Sequence, residues 1–151
     1  MKSVERGNSM IIIDASVYFP LILKGGDRLV TALRKHEFTI LDLTIYEACN
    51  AAWKSHAIHQ ILDHDTATQV CIVAKELAKR LHIFSFHTLN LESVMKIAIE
   101  NKIAVYDSAY IFLATNTKSP IATEDRDILR VAPKYGIEVL RYNEMSEILF
   151  S

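Results

Sequence analysis

Four carboxylates, Asp14, Glu47, Asp107 and Asp125, each stand where a hydrophobic element ends or a helix begins. Asp14 closes the run Met10-Ile11-Ile12-Ile13. Glu47 lies in Leu43-Thr44-Ile45-Tyr46-Glu47-Ala48-Cys49-Asn50, Asp107 in Ile103-Ala104-Val105-Tyr106-Asp107-Ser108-Ala109-Tyr110, and Asp125 in Pro120-Ile121-Ala122-Thr123-Glu124-Asp125. In an α/β chain the carboxyl ends of parallel strands share one edge of the sheet, so acids distant in sequence converge there. Converged carboxylates repel one another unless a cation joins them, and a hard divalent ion is the usual remedy. The chemistry indicated is metal-assisted phosphodiester hydrolysis.

Each acid also has an ordinary use. Asp14 precedes a helical segment and can cap it. Thr44-x-x-Glu47 matches a capping box, and Asp107 and Asp125 also stand before helical segments. For one acid taken alone, capping is the better account. The conjunction shifts the balance, because Ser, Thr or Asn cap equally well and these positions carry acids. Asp107 is flanked by apolar residues on both sides, a costly setting for a charge without a partner. Asp127 either joins the cluster or caps and solvates its helix together with Arg126 and Arg130.

The elements that must position these acids are read from the hydrophobic period. Strands are expected at Met10–Ile13, Phe38–Leu43, Ile83–Phe86, Pro120–Thr123 and Ile137–Leu140. Helices are expected from Ala15, where Pro20 should shorten or kink the segment, over Arg28–Lys35 after a Lys24–Asp27 turn, and over Thr44 to about His56. Further helices are expected over Asp65–Leu81, Leu91–Asn101 and Asp107–Asn116, from about Arg126, and over Asn143–Phe150. Strands alternating with helices predict a single doubly wound α/β domain, with a parallel sheet of about five strands flanked by helices.

Composition bounds the rest. A chain of 151 residues, half of them hydrophobic and 23% charged, suits one folded domain with one core. A net charge of −1 supplies no global field toward nucleic acid, which disfavours a pure nucleic-acid-binding module. Residues 1–9 are polar and share no pattern with the chain from Met10 onward. The domain is therefore expected at 10–151, after an extension without a role, and Met10 is an alternative start. Cys49 and Cys71 lack CxxC spacing and read as reduced thiols. With no stretch apolar enough to span a bilayer and no signal-like start, a cytoplasmic protein is expected.

His56-x-x-His59 with His64 lacks the neighbouring Glu of a zinc site. Lys75, Lys79 and Arg80 share a helix with Glu76 and read as a solvated face. Arg126, Arg130, Lys134 and Arg141 come after the fourth acid and are better candidates for phosphate contacts, Arg126 and Arg130 foremost.

Taken in order, Ile-Ile-Asp-Ala-Ser, Glu47 with Asn50, Tyr-Asp-Ser-Ala-Tyr and Ala-Thr-Glu-Asp-Arg-Asp resemble a PIN domain, in the short form of VapC-type toxins of toxin–antitoxin pairs. The resemblance covers about residues 10 to 150. It implies a Mg²⁺- or Mn²⁺-dependent endoribonuclease with Asp14, Glu47, Asp107 and Asp125 as its acidic quartet. Ser16 then supports the first Asp, Asn50 is the polar residue one turn after the Glu, and Asp127 assists. Asp14 and Asp107 are the foremost metal ligands, with Glu47 and Asp125 completing the shell, orienting water or holding a second ion. Glu124 departs from the pattern by adding a carboxylate beside Asp125, which remains the expected ligand because it comes two residues after Thr123.

The resemblance also implies an RNA substrate, a small antitoxin and a homodimer. The helices Arg28–Lys35 and Asp65–Leu81 are the expected partner-facing surfaces. Three alternatives stand beside this reading: a PIN-type nuclease of RNA maturation or decay without an antitoxin, a non-catalytic PIN scaffold, and a receiver-like signalling domain. A receiver needs paired acids after its first strand and a Lys after its last, whereas this chain has Asp14 and Arg141 there.

Overall fold

The computed structural model describes residues 10–151, and the expected extension at 1–9 lies outside the described residues. Five short strands form one sheet: β1 (Ile11–Ile13), β2 (Phe38–Leu41), β3 (His82–Phe84), β4 (Ile121–Ala122) and β5 (Val139–Leu140). All pairings are parallel and the order is β3-β2-β1-β4-β5. Parallel strands need crossover connections, and helices supply them. These are α1 (Ala15–Gly25), α2 (Asp27–Leu33), α3 (Asp42–Ala57), α4 (His64–Ala78), α5 (Leu91–Asn101), α6 (Val105–Thr117), α7 (Arg126–Val131) and α8 (Tyr142–Phe150).

Alternation along β1 divides the core. Ile11 and Ile13 pack in one hydrophobic cluster with α1, α2, α3, α4 and α8. Ile12 packs in a second with α5, α6 and α7. Side chains such as Ile12 and Ile13, at 1% and 0% exposure, each contribute about 1.5–3 kcal/mol by leaving water. The predicted two-faced sheet is the observed one. It reverses direction of growth between β1 and β4, and the carboxyl ends of those neighbours define the crevice where α/β folds bind ligands.

Several local expectations need correction. Pro20 does not shorten α1, which runs unbroken to Gly25. The missing amide costs one backbone bond, and burial of Val17, Tyr18, Leu21 and Ile22 carries the helix past it. Gly26, at φ +55, ends the helix in a conformation that glycine adopts readily. β2 stops at Leu41 because α3 begins at Asp42, two residues before the expected start. The Asp42 carboxylate accepts from the amides of Leu43 and Phe86, at 2.8 and 3.1 Å. The second bond draws the chain after β3 into the short 3-10 turn Phe86–Thr88 and ends that strand early.

Thr44 is therefore not an N-cap. It is the third helical residue, and its Oγ1 accepts from the Leu41 amide at 3.1 Å. The capping-box role considered for Glu47 disappears with it. α6 likewise begins at Val105, so Asp107 is its third residue and makes no cap bond.

No helix among the described residues is long and apolar enough to cross a membrane. Of the helices expected to face partners, the only large exposed hydrophobic among the described residues is Ile72 of α4. A longer apolar stripe lies on α5, where Leu91, Met95 and Ile99 recur at four-residue spacing.

Candidate active site

Asp14 leaves β1 and caps α1, its Oδ1 accepting from the Ser16 amide at 3.0 Å and the Ser16 hydroxyl at 2.6 Å. Its other oxygen accepts from Thr123 Oγ1, beyond the end of neighbouring β4. Thr123 Oγ1 also accepts from the Asp125 amide at 2.9 Å. The crevice between β1 and β4 is thus closed by a hydroxyl that ties two of the acids to one frame. Asp125 does cap α7, through Oδ1 to the amides of Asp127 and Ile128.

Asp107 comes from the opposite side, on the first turn of α6. The residue is 3% exposed as a whole, and among the described residues its carboxylate makes no hydrogen bond or ion pair, its oxygens facing the open side of the cluster. One oxygen each from Asp107, Asp125 and Asp127 lie within 4.8 Å of one another. Glu47, from α3, is held by a hydroxyl relay: Tyr110 Oη donates to Glu47 Oε1 at 3.2 Å and itself bonds Thr44 Oγ1. With Tyr110 donating to the carboxylate, Thr44 supplies the proton of the second bond.

This crowding sets the electrostatics. Burial pushes Asp14 up to about 6, with Asp125 adding to the rise and the Ser16 and Thr123 hydroxyls opposing it. Burial likewise pushes Glu47 up to about 7, opposed by Tyr110 and assisted by Asp14 and Asp125. Asp107 rises to about 7, through burial first and then the charges of Asp125, Asp127, Glu47 and Asp14. Among the described residues no cation neutralises the group; the Arg130–Asp127 contact at 3.4 Å is half exposed on both sides and weak. An all-oxygen donor set that is short of positive charge suits a hard divalent cation. The residues present fit Mg²⁺ or Mn²⁺, and Asp107, Asp125 and Asp127 would be the ones to hold it.

The expected quartet therefore converges, with a changed internal arrangement. Asp127, expected to assist, stands inside the closest group. Asp14 stands beside it with both oxygens engaged by hydroxyls, though each oxygen keeps a further lone pair. Glu124 turns away: it pairs with Arg141 at 2.9 Å and accepts from the Tyr142 amide at 2.8 Å. That pair engages the Arg141 guanidinium. Arg126 is exposed and makes no ion pair among the described residues, whereas Arg130 is shared between Asp127 and the Asn101 carbonyl. Ser16 and Asn50 line a cavity beside Glu47.

Thr44, Tyr110 and Thr123 were not anticipated as positioning residues. A signal existed for Tyr110, three residues after Asp107 and so on the same helical face. The histidines do not form a metal group among the described residues: His56 bonds the Leu62 carbonyl and His64 bonds Asp65. Lys79 pairs with Glu76 on the solvated face of α4, as expected.

No protein-family model matches the chain. Two curated relatives come from Pyrobaculum aerophilum. Ribonuclease VapC3 is 29% identical over 128 residues, 82% of this chain and 95% of the relative. Exonuclease VapC9 is 31% identical over 121 residues, 78% of this chain and 82% of the relative. Among solved structures, DNA-bound VapBC from Salmonella typhimurium aligns at a TM-score of 0.63 and 15% identity, covering 89% of this chain and 99% of that one. Overlap of this extent, at 31% identity and with the same fold, is what membership requires: this chain belongs to the VapC family of PIN domains.

Proposed function

We propose that the protein is a divalent-metal-dependent endoribonuclease and the toxin of a toxin–antitoxin pair. The observation that carries the reading is the group formed by Asp107, Asp125 and Asp127, whose carboxylate oxygens lie within 4.8 Å of one another with little positive charge nearby. The relatives named ribonuclease and exonuclease support phosphodiester hydrolysis. A bound Mg²⁺ or Mn²⁺ supplies Lewis acidity to the phosphoryl group and raises the acidity of water.

The chain's own residues do the rest. Asp107, Asp125 and Asp127 would hold the cation, and Asp14, buried and bonded to the Ser16 and Thr123 hydroxyls, adds negative charge beside them. Glu47, held by Tyr110 beside the other acids, accepts a proton from an attacking water. Tyr110 and Thr44 fix its direction. Arg126, exposed and free of ion pairs among the described residues, is placed after the fourth acid to meet the RNA backbone.

An active ribonuclease endangers the cell that makes it, which supports a bound inhibitor. The fold shared with a VapBC assembly points the same way. We assign the partner as a small antitoxin, the assembly as a homodimer and the compartment as the cytoplasm.

The relative named exonuclease makes the direction of attack the decisive distinction. A covalently closed circular RNA has no ends for an exonuclease. Incubated with the protein in Mg²⁺ or Mn²⁺, it should be linearised, and Asp107→Asn should leave it closed. A circle untouched while linear RNA is shortened from one end would replace the endonuclease with an exonuclease. Equal cleavage by wild type and Asp107→Asn would remove the site.

A further inference from the structure

Beside the acids lies a cavity of about 450 Å³, between α1, α3 and the start of α6. It falls within the ordinary size range of small-molecule sites. Its walls are mainly apolar: Phe19, Leu43, Ala51 and the rings of Tyr46 and Tyr106. Those two residues are 74% and 46% exposed, and their hydroxyls have no hydrogen-bond partner among the described residues. Large aromatic faces left in water at the edge of a charged site call for an occupant.

Two walls are shared with the acid site, since Ser16 touches Asp14 and Glu47 belongs to the quartet. Whatever fills the cavity therefore lies next to the acids. Asn50 adds an amide that offers both a donor and an acceptor, and Lys54 adds a cation without an ion-pair partner among the described residues.

Resting on the ribonuclease reading, we propose that this cavity seats the base of a nucleotide adjacent to the cleaved bond. Tyr46 and Tyr106 supply stacking faces, Asn50 reads the base edge, and Lys54 meets a neighbouring phosphate. Aromatic faces bind any base, whereas an amide distinguishes bases by their donor and acceptor pattern. The cavity accordingly gives the enzyme both grip and a base preference at one position. A single-stranded substrate is implied, because a base must leave its stack to enter.

The test uses the whole protein and a short RNA whose cleaved bond has been mapped. The same RNA is also made with an abasic nucleotide at each adjacent position in turn. Tyr46→Ala removes a mostly exposed ring, so the fold should survive. On intact RNA it should lower kcat/KM by about five- to 150-fold, the range for one base–aromatic stack. On the RNA abasic at one particular position it should have no further effect. Asn50→Ala should relax base preference at that same position. A 4-thiouridine placed there should crosslink to the peptide bearing Tyr46 or Tyr106.

Losses that are equal on intact and on every abasic RNA, or no loss at all, would overturn the base pocket and leave the nuclease reading standing. Unchanged RNA cleavage with weakened antitoxin binding would assign the cavity to a protein segment and overturn it too. Absence of metal-dependent cleavage by the wild type would refute the nuclease reading and this inference with it.

Discussion

Asp107→Asn should make the metal-free protein more stable at alkaline pH while destroying its activity. In the wild type, burial and four neighbouring acids raise Asp107 from 3.8 to about 7. A carboxyl raised on folding favours the native state only while protonated. Its penalty is absent below about 3.8, grows as pH rises, and is complete above about 7. At full strength that difference is about 4 kcal/mol. The cluster opens to solvent and counterions, so about half, roughly 2 kcal/mol, is the reasonable expectation. For a domain of this size that is a gain of about 4–8 °C in Tm.

Asparagine keeps the shape, and its amide can donate to the neighbouring carboxylates. Thermal melts tracked by circular dichroism in chelator, at pH 8 and at pH 4.5, read the effect directly. The variant should melt higher at pH 8, and the gap should shrink markedly at pH 4.5. Added Mn²⁺ should stabilise the wild type and not the variant. A variant that melts at or below the wild type at pH 8 would refute the claim that Asp107 carries uncompensated charge.

Three further outcomes are expected. Glu124→Gln weakens a partly exposed pair with Arg141, so stability should fall by less than about 1 kcal/mol, and calorimetry should find Mn²⁺ affinity unchanged. An antitoxin tail that places an Arg on the acids should compete with the cation, since Arg pairs with carboxylate in bidentate geometry. Titrating that tail with and without saturating Mn²⁺ should show mutual weakening by one factor, and identical affinities would locate inhibition elsewhere. Light scattering at micromolar concentration should report twice the mass of one chain, and a stable monomer would contradict the homodimer.

Much of this arrangement is legible in the sequence. The β-branched run Ile11-Ile12-Ile13 could hardly be other than a buried strand, and Asp14 at its end had to reach the sheet edge. The amphipathic period places α5 at Leu91–Asn101, as observed. Boundaries set by single side-chain bonds are not legible. Asp42 begins α3 early and trims β3 through one carboxylate, an interaction across 44 residues. Pro20 does not mark the end of α1, because local propensity yields to packing. Within the site, sequence names acids near strand ends but does not rank their distances, so Asp127 is expected farther out than it stands. Glu124 and Asp125 become separable only once Arg141, brought alongside by β5, has claimed one of them.

The central claim is that the acid cluster is a metal centre that cleaves RNA, and the rate of cleavage as a function of Mn²⁺ tests it most directly. Wild type and Asp107→Asn would be compared on one mapped RNA, with Mn²⁺ binding measured in the same buffer. Cleavage by the wild type should vanish in chelator and saturate at the concentration where binding saturates. The variant should lose binding and at least about 100-fold in rate, the scale expected when several kcal/mol of metal-derived stabilisation is withdrawn. Cleavage that persists in chelator, or that Asp107→Asn leaves at the wild-type rate, would contradict the account.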